Sequence, residues 1–458
     1  MEEMKREEKV PLVPLLSGQL LKSQDKQGTE TWAPKWSWVE PAAWNPRMLR
    51  ALEVGVKGDR WFSLIDKVWR KSNLEASWKA VKANKGAAGI DRQSVNDFGR
   101  HAEEEISKLQ RQLQQCSYQP KAVRRVYIEK TGSKEKRPLG IPALRDRVVQ
   151  GAVRQVLEPI FEHVFAEHSY GFRPGRGAKD ALRRVDGLMR SGKTWTVDAD
   201  LKGYFDSIPH DQLLERVREH VSDGRLLGLL EKFLKVGVMG EDGELHQRDS
   251  GTPQGAVLSP LLANLYLNEL DHQMAANGYE MTRYADDFVI QCESEEEARL
   301  ALELIKDWVA TNGLELHPEK TRITDAGQTG GGFDFLGYHF VRYKGKWRRW
   351  VRKKSEKKMR AAIREQTPRT SGQSMEAIIK QLNVQLRGWF EYFKHSHWTA
   401  MGSMDRYVRG RLRSILRKRI KLKGRGRGAD HQRWPNAYFD ELGLFCLSTA
   451  WDQLCQSR

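Results

Sequence analysis

Two aspartates stand side by side at Asp286 and Asp287, with Tyr284-Ala285 before them and Phe288-Val-Ile290 after. Aromatic and β-branched residues in such a run read as buried strand, so Arg283 to Cys292 is expected to form a hairpin around Ala285-Asp-Asp287. Neighbouring anions held against an apolar strand repel each other and lose solvation, and something positive has to compensate. A surface turn carrying two acids is the alternative, and the pair alone does not decide between them. Upstream, a second apolar run, Trp195 to Ala199, ends on Asp200. Asp198, two residues earlier, projects to the same strand face and is expected to support that acid.

The flanking residues sharpen the pattern. The stretch Asp200-Leu-Lys-Gly-Tyr-Phe-Asp206 carries a ring, Phe205, five residues after the first acid. Such a ring either presses on the sugar of a bound nucleotide or packs in a core. Between the acidic stretches lies Gly251-Thr-Pro-Gln-Gly255-Ala-Val-Leu-Ser-Pro260, leading into a helical run from Leu261 to Leu270. Glycines there let backbone approach a ligand, and Gln254 offers an amide to a base or nucleotide edge. A simple helix-entry loop is the other reading. Hard divalent cations take oxygen ligands, and a pair of Mg²⁺ ions is the economical way to hold such acids together.

Charge placement says more than composition. The 458 residues are 39% apolar and 30% charged, enough for two or three folded domains with an ionised surface. The net charge is +18. Between Val341 and Arg427 there are 27 Lys or Arg against 5 Asp or Glu, a net of +22, which leaves −4 for the rest. A face that needed only solubility would mix both signs, so this segment is expected to meet a phosphate backbone. No apolar run approaches membrane-spanning length, and Met1-Glu-Glu-Met-Lys-Arg lacks a signal-peptide pattern. A soluble, cytoplasmic, nucleoid-associated protein of a bacterial-type cell is the expectation, with no membrane partner. Cys116, Cys292, Cys446 and Cys455 have no zinc or redox spacing and are expected to be reduced and buried.

Along the chain, residues 1–60 read as irregular, with a Trp-rich patch of Trp32, Trp36, Trp38 and Trp44. These rings suit either stacking on bases or docking onto the main body. Phe62, Ile65, Val68, Trp69 and Leu74 recur at helical spacing from Trp61 to Lys82. Val123 to Lys130 reads as a strand, Arg147 to Phe165 and Ala178 to Met189 as helices. A helix from Ser374, its N-cap, to Phe393 is marked by Met375, Ile378, Ile379, Leu382, Leu386 and Phe390. Gly424-Arg-Gly-Arg-Gly428 reads as a flexible basic linker.

These motifs together resemble reverse transcriptases. Tyr284-Ala-Asp-Asp287 is similar to their signature, Asp200 to Asp206 to their first palm motif, and Pro253-Gln-Gly255 to the next. Arg137-Pro-Leu-Gly-Ile-Pro142, Tyr170-Gly-Phe-Arg-Pro-Gly175, Phe335-Leu-Gly-Tyr338 and Leu386-Arg-Gly-Trp-Phe-Glu-Tyr-Phe393 resemble the group II intron-encoded branch, as does Arg433-Trp-Pro-Asn-Ala-Tyr-Phe439. The resemblance runs from about Trp32 to the last residues. It implies an α+β right-hand polymerase whose antiparallel palm sheet is flanked by helices. The implied divisions are an N-terminal extension (1–60), fingers (61–195), palm (196–340), helical thumb or maturase region (341–410) and a short basic, DNA-binding-like region (411–458).

The resemblance also assigns roles. Asp200, Asp286, Asp287 and the Leu201 carbonyl would hold two Mg²⁺ ions, with Mn²⁺ as a substitute. Lys130, Arg137, Phe205 and Gln254 would contact the incoming deoxynucleoside triphosphate (dNTP). Implied partners are a group II intron RNA, an RNA template with DNA primer, and target DNA. Implied work is RNA-directed DNA synthesis, splicing assistance and intron mobility. The chain stops shortly after Trp434 without the His, Asn and paired Cys of the endonuclease found in many relatives, so a primer made elsewhere is expected. Three readings compete: an RNA-binding splicing cofactor with secondary polymerase activity, a reverse transcriptase adapted to defence or diversification, and an RNA-templated RNA polymerase.

Overall fold

The computed structural model describes residues 22–24, 30–32, 34–129, 136–422 and 428–456. At its centre, four antiparallel strands lie in the order Arg322–Asp325, Trp195–Asp200, Asp287–Cys292 and Glu280–Tyr284. Alternation splits their faces: Val197, Ala199, Phe288 and Ile290 enter one hydrophobic core, while Asp198, Asp200 and Asp287 point the other way. Helices Ser259–Ala276 and Glu295–Thr311 cover the apolar face. The first is buried along Leu261–Asn268 and continues past the apolar run Leu261 to Leu270 with Asp271 and Met274 still turned inward.

The fingers pair Val123–Glu129 with Lys136–Ile141, antiparallel. Lys130 and the turn after it lie outside the described residues. Behind them runs the buried helix Leu144–Val164, three residues longer at its start than the period from Arg147 suggests. Helices Ile65–Val68 and Lys71–Ala83 pack against it, but Phe62 lies outside them and is exposed. The N-terminal extension is also more regular than expected. Pro46–Val54 is a helix with Pro at its first position, and Asn45 caps it by accepting from the Met48 N–H. Trp36 and Trp44 are buried, and the Trp44 indole donates to the Gln155 carbonyl at 3.0 Å. Docking, not stacking on bases, describes these two rings; the Trp32 side chain lies outside the described residues.

A three-stranded hairpin sheet, Phe333–Phe335, Tyr338–Tyr343 and Lys346–Val351, leads into helices Lys353–Gln366, Met375–Phe393 and Thr399–Arg419. Ser374 caps the middle helix by accepting from the Ala377 N–H. Helix Thr399–Arg419 runs unbroken across residue 410, so the expected boundary at 410/411 falls inside a helix. Residues 428–456 fold back on it as three short helices. Buried and half-buried arginines make that seam: Arg409 binds Asp440 at 2.9 Å, Arg417 binds Asp430 at 2.6 Å, and Arg413 donates to the Trp434 carbonyl. Part of the basic excess is thus spent internally. The expectation of buried thiols fails at Cys116 and Cys455, which are exposed. Among the described residues no helix is long and apolar enough to cross a membrane.

Phe439 is fully buried in this seam. Phe439→Ala should lower unfolding free energy by about 3–5 kcal/mol, measured by denaturant titration, and show the segment to be part of the thumb's core.

Candidate active site

The two acidic stretches converge. Asp200 lies directly opposite Asp287 on adjacent antiparallel strands, and Asp286 occupies the two-residue turn between Tyr284 and Asp287. Ala285, first in that turn, sits at φ +61°, a conformation that costs a non-glycine residue about 1–2 kcal/mol. Two features hold it there. Gly171 packs so closely that a Cβ on it would lie 2.3 Å from the Ala285 nitrogen. Arg283, fully buried, donates to the Ala285 carbonyl and to Asn264 Oδ1, each at 2.9 Å. Its Nε reaches the two carboxylate oxygens of Asp271 at 2.8 and 3.0 Å. Asn264 in turn donates to the Gly171 carbonyl at 2.7 Å. Burial opposes the guanidinium's charge, but Asp271 outweighs it and leaves the pKa above its ordinary value.

The carboxylates carry the electrostatic consequence. Burial, then Asp198, Asp286 and Asp200, push Asp287 up to about 7. Burial also raises Asp286, with Asp200 adding to it and Arg137 and Arg283 offsetting it. Asp198 is tied to Arg322 at 3.2 Å, so its own carboxylate is already partnered. The Asp200 carboxylate meets the Lys320 ammonium at 2.5 Å. Beside it, Leu201 bridges Leu316 between hydrogen bonds from His317 N to Asp200 O and from Lys202 N to Glu315 O. In such a pair the Leu201 carbonyl points away from the partner strand. Crowded, partly desolvated oxygen donors of this kind suit a divalent cation. With Asp200 drawn to Lys320, the three acids do not close to within 4.8 Å as a set. Among the described residues the group that does is Asp242, Glu244 and His246, all exposed, on a hairpin of two short strands.

Beside the acids lies a cleft of about 730 Å³ lined by Arg137, Phe205 and Gln254. Arg137 Nε donates to Gln254 Oε1 at 2.8 Å, and Gln254 Nε2 reaches Asp206 at 3.3 Å. The loop holding Gln254 is bound to the Phe205 segment, with Thr252 N donating to Phe205 O at 2.6 Å. Gly255, at φ +105°, passes so near that a Cβ would lie 2.7 Å from the Gly140 carbonyl. Phe205 is buried and lines the cleft at once. Its core and ligand-facing readings are therefore compatible.

Sequence reasoning missed the opposite wall. Phe172, exposed at φ +58°, and Lys354 and Lys358 from the first turns of the helix after the hairpin sheet line the same cleft. The two lysines are one turn apart, but in so basic a run nothing local singled them out. Tyr392, on the second thumb helix, donates to the Leu336 carbonyl at 2.8 Å. Its pKa is pushed up to about 12 by burial, Tyr284 and Asp287.

Comparison with known proteins agrees with this geometry. The family profile for "Reverse transcriptase (RNA-dependent DNA polymerase)" matches residues 128–340, and that for "Group II intron, maturase-specific domain" matches residues 356–434. Protein YkfC of Escherichia coli K12 is 33% identical over 358 residues, 68% of this chain and 89% of its own length. The chain belongs to the group II intron reverse transcriptase/maturase family. The group II intron-encoded protein LtrA of Lactococcus lactis is 43% identical over 197 residues, 43% of this chain. An uncharacterized protein in the cob intron of Schizosaccharomyces pombe is 41% identical over 166 residues, 36% of this chain and 20% of its own length. The match to LtrA spans about a third, 32%, of that protein. Reverse transcriptase domains work with divalent metal, and the maturase-specific domain associates this family with intron RNA. In this reverse transcriptase-like chain, both acidic stretches and most of the cleft fall inside residues 128–340, while Lys354 and Lys358 of its wall follow that match.

Removing one partner of a buried ion pair strands the other charge. Arg283→Met should cost about 3–5 kcal/mol in denaturant unfolding, and Gly171→Ala, which pushes on the Ala285 backbone, should destabilise the same hairpin.

Proposed function

We propose that this protein is an RNA-directed DNA polymerase of a group II intron that also binds the intron RNA to assist splicing and mobility. The observation that carries the reading is Asp200 facing Asp287 across adjacent strands, beside a cleft lined by Arg137, Phe205 and Gln254. Asp200, Asp286, Asp287 and the Leu201 carbonyl are the groups that would hold two Mg²⁺ ions, for which Mn²⁺ would substitute. Bound there, such ions supply positive charge to the attacking 3′ oxygen and the departing pyrophosphate.

The chain's own residues do the remaining work. Arg137 presents a forked guanidinium to triphosphate oxygens, and Lys130 would add a flexible ammonium. Phe205 bounds the space beside the sugar, where a 2′-hydroxyl would clash. Gln254, fixed by Arg137 and Asp206, presents an amide to the nucleotide or template. The fingers (61–195), palm (196–340) and the helical thumb that begins at 341 are assigned to the incoming nucleotide, the primer end and the RNA template; the returning C-terminal segment is assigned to target DNA. The maturase-specific match over residues 356–434 favours a splicing role beside synthesis.

Asp286→Asn should reduce primer extension on an RNA template by roughly 10²–10³-fold or more, while RNA binding and splicing survive. Extension at the wild-type rate would refute the assignment. Phe205→Ala should narrow the preference for deoxyribonucleotides over ribonucleotides by roughly 10- to 100-fold, read from extension with each nucleotide set.

A further inference from the structure

The hairpin sheet before the thumb has one face that the core does not use. Directly opposed residues of an antiparallel pair share a face. Tyr338 with Val351, Phe340 with Arg349, and Arg342 with Trp347 therefore form one side. Tyr338, Phe340 and Val351 are buried there, with Trp347 packed against them. The other side carries Tyr343 with Lys346, Val341 with Arg348, and His339 with Trp350.

On that second face the aromatic rings form a continuous row. Tyr343 and Trp350 lie 5.5 Å apart between centroids, Trp350 and His397 6.2 Å, and His397 and Trp398 5.7 Å. Trp350 and His397 are half-buried, whereas Tyr343 and Trp398, at the two ends, are 45% and 57% exposed. The row is anchored by backbone: His397 N donates to the Arg349 carbonyl at 2.7 Å, which ties the segment bearing Trp398 to the edge strand. At the other end the two-residue turn Lys344-Gly345 has both residues at positive φ, the twist-matched hairpin turn, and sets the Lys344 ammonium 5.6 Å from the Tyr343 ring. Between Val341 and Ser355 there are eight Lys or Arg and no Asp or Glu.

We propose that this face is a platform for an unpaired RNA strand, whose bases stack on Tyr343 and Trp398 while Lys344, Lys346 and Arg348 neutralise its phosphates. The proposal rests on the RNA-binding part of the function given above and adds a named surface to it. Exposed ring faces need exposed base faces, which a duplex does not offer, and sequence-tolerant stacking between cations is how single strands are held. The carboxylate of this face, Asp334 opposite His339, is already tied to His339 and Arg352 at 2.8 Å each, and the excess of positive charge argues against a protein surface as occupant. RNA is chosen over DNA because RNA presents its bases unpaired in loops and bulges.

The test compares the full chain with Tyr343→Ala/Trp398→Ala and with Tyr343→Phe/Trp398→Phe. Fluorescence anisotropy measures binding to a labelled, unstructured RNA of about twelve nucleotides and to the same RNA annealed to its complement. Sedimentation checks association, and extension of a short primer–template is followed in parallel. The alanine pair should bind the single strand about tenfold more weakly or worse and the duplex as before. The phenylalanine pair should bind both as the wild type does. Unchanged single-strand binding by the alanine pair overturns the proposal, as does equal loss on both RNAs, or altered association with RNA binding intact. Failure of the wild type to extend a primer counts against the polymerase reading alone, since the two binding curves decide the platform separately.

Discussion

The buried contact between Arg283 and Asp271 is the constraint on which the catalytic geometry depends. Arg283 is completely shielded from water, and its five donors are shared among a carboxylate, an amide and a backbone carbonyl. Through Asp271 and Asn264 it binds the central helix behind the sheet; through Ala285 it aims the turn that carries Asp286. Asn264 extends the same network to Gly171, so a loop more than a hundred residues upstream is locked to the turn. The acids therefore stand on a scaffold that is rigid because its polar groups have partners.

The same chemistry organises the thumb, with opposite emphasis. A helix so rich in arginine would be expected to face solvent all round, yet Arg409, Arg413 and Arg417 turn inward to acids and carbonyls of the returning C-terminal segment. Asp405 completes the seam by accepting from the Leu447 and Ser448 N–H groups. Cations not consumed this way include those on the hairpin sheet and on the first turns of helix Lys353–Gln366. The basic segment is thus two populations, one holding the thumb together and one left for phosphates.

Much of the candidate site was legible in the sequence because its motifs are local. Asp200 ends one apolar run and Asp286-Asp287 opens another; strand pairing sets Asp200 and Asp287 on a common face, and Asp286 stands in the turn beside them. Gln254 was marked by the glycines around it, Phe205 by its place five residues after Asp200 and Arg137 by the family resemblance, and all three line one cleft. Arg283 was not legible, since an arginine in a strand reads as solvent-facing until its partner twelve residues earlier is known to sit behind it. Lys354 and Lys358 were hidden by the surrounding charge. The helix Pro46–Val54 carried its signal in Asn45-Pro46, but the Trp-rich patch beside it drew the reading toward irregular structure. The domain edge expected at 410 falls inside helix Thr399–Arg419, which continues through Gly410 and the dense charge around it.

The left-handed backbone at Ala285 trades conformational ease for aim. A glycine there would shed the steric cost, yet it would also give the turn many more orientations in which to present the following carboxylate. Alanine leaves the chain few alternatives once Gly171 and Arg283 press from either side. The site accepts a small, permanent local instability, and in return the direction of one side chain is settled before any substrate arrives.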